Sequence, residues 1–463
     1  MNINEETMSL QAQFEELIAL DDKLRIQDFL NHQHISDVAR LIDENEPYES
    51  QIIGHLSLHR ATSVFKILDL PSQKRIIKNL PAFKTAELLN ELPADDRTAF
   101  LSELPSNVVR ELIKTLNPEE RKITLSLLGY PEGSVGRLMT PDYIYVYEHD
   151  TVEVVLQTIR RLAKSSETID VIYVINENGE LLDDIRIKDI ILASPEKKVN
   201  ELMDGRFITL NAEDDQEVAN AAFKMNNRVA LPVVSRSNKL LGIVTIDDVL
   251  WLASEEFSED MQKIGGTEVL DEPYLDMPLL KLFKKRITWL VVLFVGEMFT
   301  ASVMTHFEDE IQKALVLALF VPLIISSGGN TGSQASTLII QAMAVGEITT
   351  KKWWLVMRRE IIQGLLLGGV LGIIGFLRVY LWSKVIPTTY GENATAIGYT
   401  VGFSLMGVVL WGTLTGSMLP LLLKKLGADP AVSSAPFVAT LVDVTGLLIY
   451  FSVAYLFLPG ILN

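Results

Sequence analysis

A single aspartate lies in the middle of the last apolar segment of this 463-residue chain. A carboxylate at the centre of a bilayer costs about 2.5–3.5 kcal/mol on insertion scales, so Asp443 is expected to face water or a partner. Ala439 precedes it by one helical turn, which places its carbonyl on the same face. Pro436 is predicted to free another carbonyl near residue 432. Such oxygens suit a hard cation such as Mg²⁺. The segment predicts an ion pathway; a buried neutral aspartate is the alternative.

A second group of polar residues interrupts an earlier apolar segment. Residues 321–336 contain Pro322 and three glycines, and six polar side chains lie within residues 326–334, namely Ser326, Ser327, Asn330, Thr331, Ser333 and Gln334. Glycine lets backbones approach closely or unwind, and irregular backbone at membrane depth requires cover by protein or water. The block predicts a second part of the pathway, although small polar residues also join helices without a pore. Glu297, in the preceding segment, could line the path or bind a neighbouring helix.

Five segments have the roughly 20 apolar residues that a membrane span needs: residues 286–306, 314–345, 359–382, 396–423 and 431–458. Cytoplasmic loops are enriched in lysine and arginine. Ten such residues flank the spans on the side of the N-terminal region, against three on the other side. Residues 1–20 do not resemble a signal peptide. We therefore expect a multi-pass protein of the cell (inner) membrane, with the N-terminus cytoplasmic and the C-terminus outside.

The two parts of the chain differ in charge. Residues 1–280 carry 28 basic and 50 acidic side chains, a net of −22, whereas residues 281–463 carry 13 and 9, a net of +4. The acidic part repels nucleic-acid phosphates and attracts cations, so divalent cations are expected partners and nucleic acid is not. The absence of cysteine excludes disulfides, thiolate catalysis and zinc–thiolate sites. No P-loop, dinucleotide fingerprint or nucleophile–histidine arrangement is present, so no enzyme is expected.

Five spans are few to enclose a pore within one chain, and an odd number excludes a simple internal inverted repeat. A homodimer would supply ten helices around a two-fold axis and place two copies of Asp443 on it. The expected partners are therefore a second copy of the chain, the lipid bilayer and divalent cations.

A short helical repeat occupies residues 60–130. Leu-Pro or Asn-Pro steps recur every 10 to 13 residues, at Pro71, Pro81, Pro93, Pro105 and Pro118. Because proline favours the first turn of a helix, the pattern predicts stacked helices of about two turns, an α-helical solenoid. Asp95 and Asp96 follow one of these prolines, where acids ordinarily complement the helix dipole.

Residues 138–250 contain a duplicated α/β unit. Residues 138–142 align with 202–206, and residues 185–192 align with 244–251. Each copy reads strand, helix, strand, strand, helix. The pair resembles tandem cystathionine-β-synthase (CBS) modules, which sense ligands. The second copy keeps that module's Leu-Gly-Ile-Val-Thr-x-x-Asp ending, whereas the first has Asp183 in place of the glycine. Whether a nucleotide binds the pair is left open.

Acidic residues crowd the segment between this pair and the membrane. Helical i, i+4 spacing places four of them on one face, namely Glu255, Glu256, Glu259 and Asp260. Four like charges destabilise a helix, and a bound dication would relieve the repulsion, which makes the segment a candidate switch. A solvated linker face is the alternative.

These parts in this order resemble the MgtE family of Mg²⁺ channels over essentially the whole chain. The blocks 322–336 and 436–446 carry the most specific likeness, and the helical repeat, CBS pair and connecting segment complete the layout. The resemblance implies a Mg²⁺-selective channel or transporter for magnesium uptake, gated closed by cytoplasmic Mg²⁺. It also implies a homodimer whose second and fifth spans line the pore.

The resemblance further implies roles for individual residues. The site for hydrated Mg²⁺ in the pore is matched by the Asp443 carboxylate and the Ala439 carbonyl. Acids of the helix that closes the pore are matched by Glu256, Glu259 and Asp260. Acids of cytoplasmic Mg²⁺ sites are matched by Asp248, Asp429, Asp95 and Asp96. Further acids are expected where this chain has Asn227 and Trp251.

The predicted fold class is a multi-domain homodimeric membrane protein. Its parts are an N-terminal α-helical solenoid (1–137), two α/β CBS modules (138–198 and 199–253), a connecting helix (254–280) and a five-helix transmembrane domain (281–463). A proton-coupled transporter is the main alternative, because a lone membrane carboxylate can also carry a proton; a membrane-anchored sensor without conduction is another. Selectivity among Mg²⁺, Mn²⁺, Co²⁺ and Ni²⁺ stays open, because the same ligands serve several of these ions.

Overall fold

The computed structural model describes residues 10–20, 22–272, 274–275, 277–386 and 393–459. It contains two compact units, Met1–Ser254 and Glu255–Asn463. The ends of the predicted first and last domains, residues 1–9 and 460–463, lie outside the described residues, and so does the C-terminus that is predicted to be outside the cell.

The first unit begins with a stack of short helices: α1 (Leu10–Ala19), α2 (Lys23–His32), α3 (Ile35–Glu44), α4 (Glu49–His55), α5 (Leu58–Phe65), α6 (Leu70–Asn79), α7 (Ala82–Glu91), α8 (Ala94–Ser102), α9 (Ser106–Thr115) and α10 (Pro118–Leu128). The five prolines of the repeat all lie at the starts of helices α6 to α10, so the predicted solenoid is confirmed. These helices have 9 to 11 residues, about three turns rather than the predicted two. One continuous apolar core runs beneath the stack.

Two three-stranded sheets complete this unit. The elements are α11 (Val135–Leu138), β1 (Tyr145–Tyr147), α12 (Val152–Leu162), β2 (Val171–Ile175), β3 (Leu181–Arg186), α13 (Ile187–Leu192), β4 (Leu210–Asn211), α14 (Gln216–Asn226), β5 (Ala230–Val234), β6 (Leu240–Thr245) and α15 (Ile246–Ile264). Helix α15 begins in this unit, and from Glu255 onward it belongs to the second unit. In each sheet the central strand pairs in parallel with the first strand and antiparallel with the third. The predicted order of elements is confirmed in both copies. Strands β2 and β5 are buried throughout and share one apolar core, so the copies pack as a pair.

The second unit consists mainly of long apolar helices: α16 (Leu279–His306), α17 (Glu308–Lys313), α18 (Leu315–Ala318), α19 (Val321–Ala344), α20 (Trp353–Val385), α21 (Ala394–Lys425) and α22 (Ala435–Phe457). Five stretches are long and apolar enough to cross a membrane, namely Leu279–His306, Leu315–Ala344, Thr350–Val385, Ala394–Lys425 and Ala435–Phe457. The five predicted spans are therefore confirmed, with ends that differ by up to nine residues.

Glycines hold three of these helices at backbone distance. A Cβ on Gly416 of α21 would lie 2.1 Å from the carbonyl oxygen of Gly332 in α19, and a Cβ on Gly372 of α20 would lie 2.5 Å from that of Gly402 in α21. A side chain at Gly416 or Gly372 would overlap the facing helix. The polar block of the second span is helical throughout α19. Its glycines therefore serve the predicted close approach, and unwinding of the block is not observed.

Candidate cation sites

Asp443 is the ninth of 23 residues in α22, and it is half-buried. Its Oδ1 lies 3.4 Å from the point where a Cβ on Gly329 would lie, and the Cβ of Ala439 is 3.4 Å from the same point. The predicted common face of Asp443 and Ala439 is therefore confirmed, and it is turned toward α19. Because Gly329 has no side chain, space is left beside the carboxylate.

Basic side chains do not neutralise Asp443 in the part of the chain that the structure describes. The charged group whose field reaches it is the carboxylate of Glu297 in α16. The neighbouring Gly296 packs on α22, since a Cβ there would lie 2.9 Å from Cγ2 of Thr440. Glu297 itself is exposed. Two acids, Asp443 and Glu297, are therefore close enough in the membrane unit to repel each other.

The start of α22 corrects one prediction. Pro436 is in the first turn of the helix, and residue 432 belongs to the preceding turn, Pro430–Val432. A proline in the first turn removes a donor that has no helical acceptor, so the prediction that Pro436 frees a helix carbonyl near residue 432 is wrong. Hydroxyls of α19 bond carbonyls here instead. Ser333 donates to the carbonyl of Ala435 at the start of α22, at 3.0 Å. Ser336 donates to the carbonyl of Ser433, just before the helix, at 2.9 Å.

The polar block of α19 thus has two roles. Ser333 and Ser336 join α19 to α22, as small polar residues often do between membrane helices. In contrast, Ser326, Asn330 and Gln334 recur at four-residue intervals on one exposed face. A groove of about 430 Å³ runs along this side and is lined by Ser333, Gln334, Thr337 and Leu338. The exposed face is therefore the part of the block that is available to an ion path.

A cluster of carboxylates lies within the first unit. Asp95 and Asp96 occupy the first turn of α8 and interact with Asp248 of α15. Two further acids, Asp247 and Glu167, are close enough to Asp96 to repel its carboxylate. We call these five residues the acidic cluster. It brings together three of the residues to which the resemblance assigns cytoplasmic Mg²⁺.

One lysine accompanies the acidic cluster. The Lys66 Nζ lies 3.6 Å from Oδ2 of Asp96. Burial disfavours the charged form of Lys66, but attraction by Asp96 and the other acids outweighs it and raises the pKa of the ammonium. In the part of the chain that the structure describes, a single positive charge thus accompanies five carboxyl groups, and it contacts one of them.

Burial and mutual repulsion make the acidic cluster electrostatically unfavourable without a further cation. Asp95 is 7% exposed, and its Oδ1 has no hydrogen-bond donor among the described residues. Burial, followed by repulsion from Asp248 and Asp96, raises the pKa of Asp95 well above its ordinary value. Burial also raises the pKa of Asp248 to about 6, although Thr245 donates a hydrogen bond to it at 2.6 Å. Complementation of the helix dipole does not account for a buried carboxylate oxygen without a donor.

A different arrangement surrounds the acids of the connecting segment. Lys263 Nζ lies 2.5 Å from Oε1 of Glu259 and 2.6 Å from Oδ2 of Asp429. The other oxygen of Asp429 accepts a bond from the backbone N–H of Ala431 at 2.8 Å. Burial opposes the charge on Lys263, but the hydrogen bonds to Asp429 and Glu259 outweigh it and raise its pKa. Glu259 and Asp429 thus share an ammonium group, and we call this trio the lysine bridge.

The remaining predicted positions are more dispersed. Glu256 and Asp260 are half-buried and four residues apart on α15. Trp251 is 64% exposed on the same helix. Asn227 ends α14 in the left-handed conformation with φ 48°, which asparagine adopts more readily than most residues. Across the described ranges, no three histidine, aspartate or glutamate side chains form a preformed metal cage.

Sequence reasoning missed the basic residues of both groups. Lys263 follows Glu259 by four residues, so helical spacing could have paired them. Lys66, the residue that ends α5, has no such signal, because it meets Asp96 from 30 positions away. Glu167 lies between α12 and β2, and no local sequence pattern connects it with the acids of α8 and α15.

Known families match most of the chain. The family model for MgtE, a divalent cation transporter, matches residues 321–453, and the model for the MgtE intracellular N domain matches residues 33–133. The CBS domain model matches residues 135–196 and 199–255. A crystal structure of the cytosolic domain of the Mg²⁺ channel MgtE in complex with ATP is 32% identical with a TM-score of 0.51, covering 52% of this chain and 99% of that one. The soluble part of a magnesium transporter has the same fold at 22% identity, with a TM-score of 0.51, 54% of this chain and 99% of that one.

Relatives of similar length extend the match through the membrane unit. The magnesium transporter MgtE of Thermus thermophilus is 39% identical over 346 residues, which are 75% of each chain. The magnesium transporter MgtE of Bacillus subtilis is 29% identical over 451 residues, which are 95% of this chain and 98% of the relative. With these domain matches, and with a relative 39% identical over three quarters of its length, the chain belongs to the MgtE family of divalent cation transporters, which are not enzymes.

Proposed function

We propose that this chain is a channel for Mg²⁺ in the cell membrane, in which Asp443 receives the hydrated ion beside the carbonyl of Ala439. The supporting observation is that both residues share the face of α22 turned toward the bare Gly329, without a basic partner in the described chain. Mg²⁺ dehydrates reluctantly and is usually held by one or two carboxylates through retained waters. The relatives named magnesium transporter support Mg²⁺ as the cargo.

The proposal includes a homodimer with two copies of Asp443 on its axis. None of the residues of α16 is buried within the single chain, so that helix has surface to offer to lipid and to a second copy. The asymmetry of lysine and arginine supports a cytoplasmic N-terminus and an outside C-terminus. The predicted boundaries at residues 137, 198, 253 and 280 belong to the proposal as well.

The proposal also includes closure by cytoplasmic Mg²⁺. Asp95, Asp96 and Asp248 form the part of the acidic cluster that would hold the ion, because their negative charge exceeds what Lys66 neutralises. An ion that binds the closed state more tightly shifts the equilibrium by its differential affinity. Glu256 and Asp260 are assigned to the same regulation by the family resemblance. Glu259 and Asp429 share that assignment, but they already contact Lys263.

A nucleotide at the CBS pair is the last part of the proposal. It is supported by the similar cytosolic domain in complex with ATP. In the first copy, the buried Asp183 that replaces glycine accepts bonds from the backbone N–H groups of Asp204 and Gly205, at 2.8 and 3.0 Å. Its carboxylate therefore already accepts hydrogen bonds from the segment that joins the two copies. Titration of the purified protein with ATP, read by protection against heat, tests this part.

Mg²⁺ flux into liposomes tests the pore assignment. Asp443→Asn should lower the initial rate at least tenfold, because the amide has no charge to attract a hydrated dication. Asp309→Asn is the matched control, since it removes the same charge from the exposed helix α17. A rate for Asp443→Asn within twofold of the control would refute the assignment. Dependence of the wild-type rate on a pH gradient would favour proton coupling instead.

A further inference from the structure

The lysine bridge contains its own cation. Lys263 Nζ is within hydrogen-bond distance of oxygens from both Glu259 and Asp429, at 2.5 and 2.6 Å. These are two of the carboxylates to which the family resemblance assigns a metal ion. In this chain an ammonium group lies between them.

The bridge lies where the end of α15 packs against the membrane helices. Helix α15 ends at Ile264, one residue after Lys263. Gly266 follows with φ +73°, and a Cβ there would lie 2.9 Å from the ring of Trp289 and 3.3 Å from Pro436. Trp289 Nε1 in turn donates to Ser434 at 3.1 Å. The segment that follows α15 is therefore in close contact with α16 and α22, next to the ion pair in the chain.

A dication would have to displace this lysine to bind the same two oxygens. The ammonium is held on the same helix as Glu259, so its effective concentration at the site is high. Mg²⁺ also loses its water reluctantly. Free Mg²⁺ must therefore compete with the Lys263 ammonium for the oxygens of Glu259 and Asp429.

We propose that Lys263 is the cation of this contact, which holds the end of the connecting helix on the membrane unit whether or not Mg²⁺ is present. Lys263 is a positioning residue: it stabilises the closed arrangement at every Mg²⁺ concentration and leaves the Mg²⁺ response to other carboxylates. The expected effect of Lys263 on conduction rests on the proposed channel function, whereas its contact with the two carboxylates does not.

Spin labels test the contact directly, because the chain has no cysteine to compete with introduced ones. The exposed Met261 and Val432 are changed to cysteine in the full-length protein. With Lys263 present, the distance distribution should be narrow both in EDTA and in Mg²⁺. In Lys263→Met it should be broad in EDTA and narrow on addition of Mg²⁺, because Glu259 and Asp429 are then left without an ammonium. Lys263→Arg should resemble the wild type, and so should Lys284→Met, which removes an exposed charge from the start of α16.

Flux gives the second readout. In the absence of cytoplasmic Mg²⁺, Lys263→Met should conduct three- to tenfold faster than the wild type, and Lys263→Arg within twofold of it. A wild-type distance that narrows only with Mg²⁺, or a Lys263→Met distance identical to the wild type in EDTA, would overturn the inference. If the wild type carried no Mg²⁺ at all, the proposed channel function would be refuted. The spin-label distances would still show whether Lys263 holds the contact.

Discussion

The acidic cluster and the lysine bridge contain the same chemical groups in opposite balance. In the acidic cluster, five carboxyl groups accompany Lys66, which lies 3.6 Å from Asp96, and Oδ1 of Asp95 has no donor in the described chain. In the bridge, two carboxylates accompany Lys263, which contacts both at hydrogen-bond distance. The negative charge of the acidic cluster exceeds the positive charge of Lys66, whereas the ammonium of the lysine bridge contacts both of its carboxylates.

This difference shows that the number of acids in a segment does not by itself locate a cation site. The connecting segment is rich in acids, yet its Glu259 is already paired. Asp95 was the less conspicuous candidate, since acids at a helix start are common. A buried Oδ1 without a hydrogen-bond donor in the described chain distinguishes Asp95 from the paired Glu259. We expect the positive charge already available to each carboxylate to decide which group binds Mg²⁺.

Neutralising the acidic cluster should have the largest effect. In Asp95→Asn/Asp248→Asn, repulsion is removed, so the protein should be more heat-stable than the wild type without Mg²⁺. The Mg²⁺ concentration for half-maximal stabilisation should rise at least tenfold, because two of the carboxylates that would bind the ion have lost their charge. A site at 100 times its Kd stabilises the folded protein by about 2.7 kcal/mol, and the variant should lose this stabilisation. Thermal unfolding across a Mg²⁺ titration measures both. Glu103→Gln, at the exposed end of α8, is the control, and a midpoint equal to that control would refute the cluster as a Mg²⁺ site.

Removing the lysine of the cluster should act in the opposite direction. In Lys66→Met the carboxylates lose the ammonium that lies beside Asp96, so stability without Mg²⁺ should fall. The half-maximal Mg²⁺ concentration should drop about three- to tenfold, or about 0.7–1.4 kcal/mol. The same titration measures this, with the exposed Lys78→Met as control. Weaker Mg²⁺ binding in Lys66→Met would show that the lysine supports the site rather than competing with it.

Neutralising one acid of the bridge should have the smallest effect. In Glu259→Gln, Lys263 keeps its contact with Asp429. Partly exposed ion pairs contribute about 0.2–1 kcal/mol, so the loss of stability should stay within that range and the Mg²⁺ midpoint should move less than twofold. Heat unfolding with and without Mg²⁺ checks both values. A midpoint shift as large as that of the cluster variant would mean that Glu259 binds Mg²⁺ after all.

Local patterns in the sequence were sufficient for much of this description. Apolar length predicted the five spans, proline spacing predicted the solenoid, and alternating elements predicted the CBS pair. Helical spacing also placed Asp443 and Ala439 on one face. Each of these depends on neighbours within a few turns or on a repeat, which a single sequence reveals.

The charge balance of the two groups could not be predicted in the same way. Lys263 and Asp429 are 166 positions apart, and Lys66 reaches Asp96 from another helix of the solenoid. Burial of Asp95 depends on the packing of α8 beneath other elements. The failed inference for Pro436 has a similar origin, because the starting residue of α22 decides whether a proline frees a carbonyl.

The most direct measurement is anomalous X-ray diffraction from crystals of the full-length protein grown with Mn²⁺, a carboxylate-binding substitute for Mg²⁺. The account predicts peaks beside Asp443 and within the Asp95, Asp96 and Asp248 group, and none between Glu259 and Asp429. A peak between Glu259 and Asp429, or the absence of both other peaks, would contradict it.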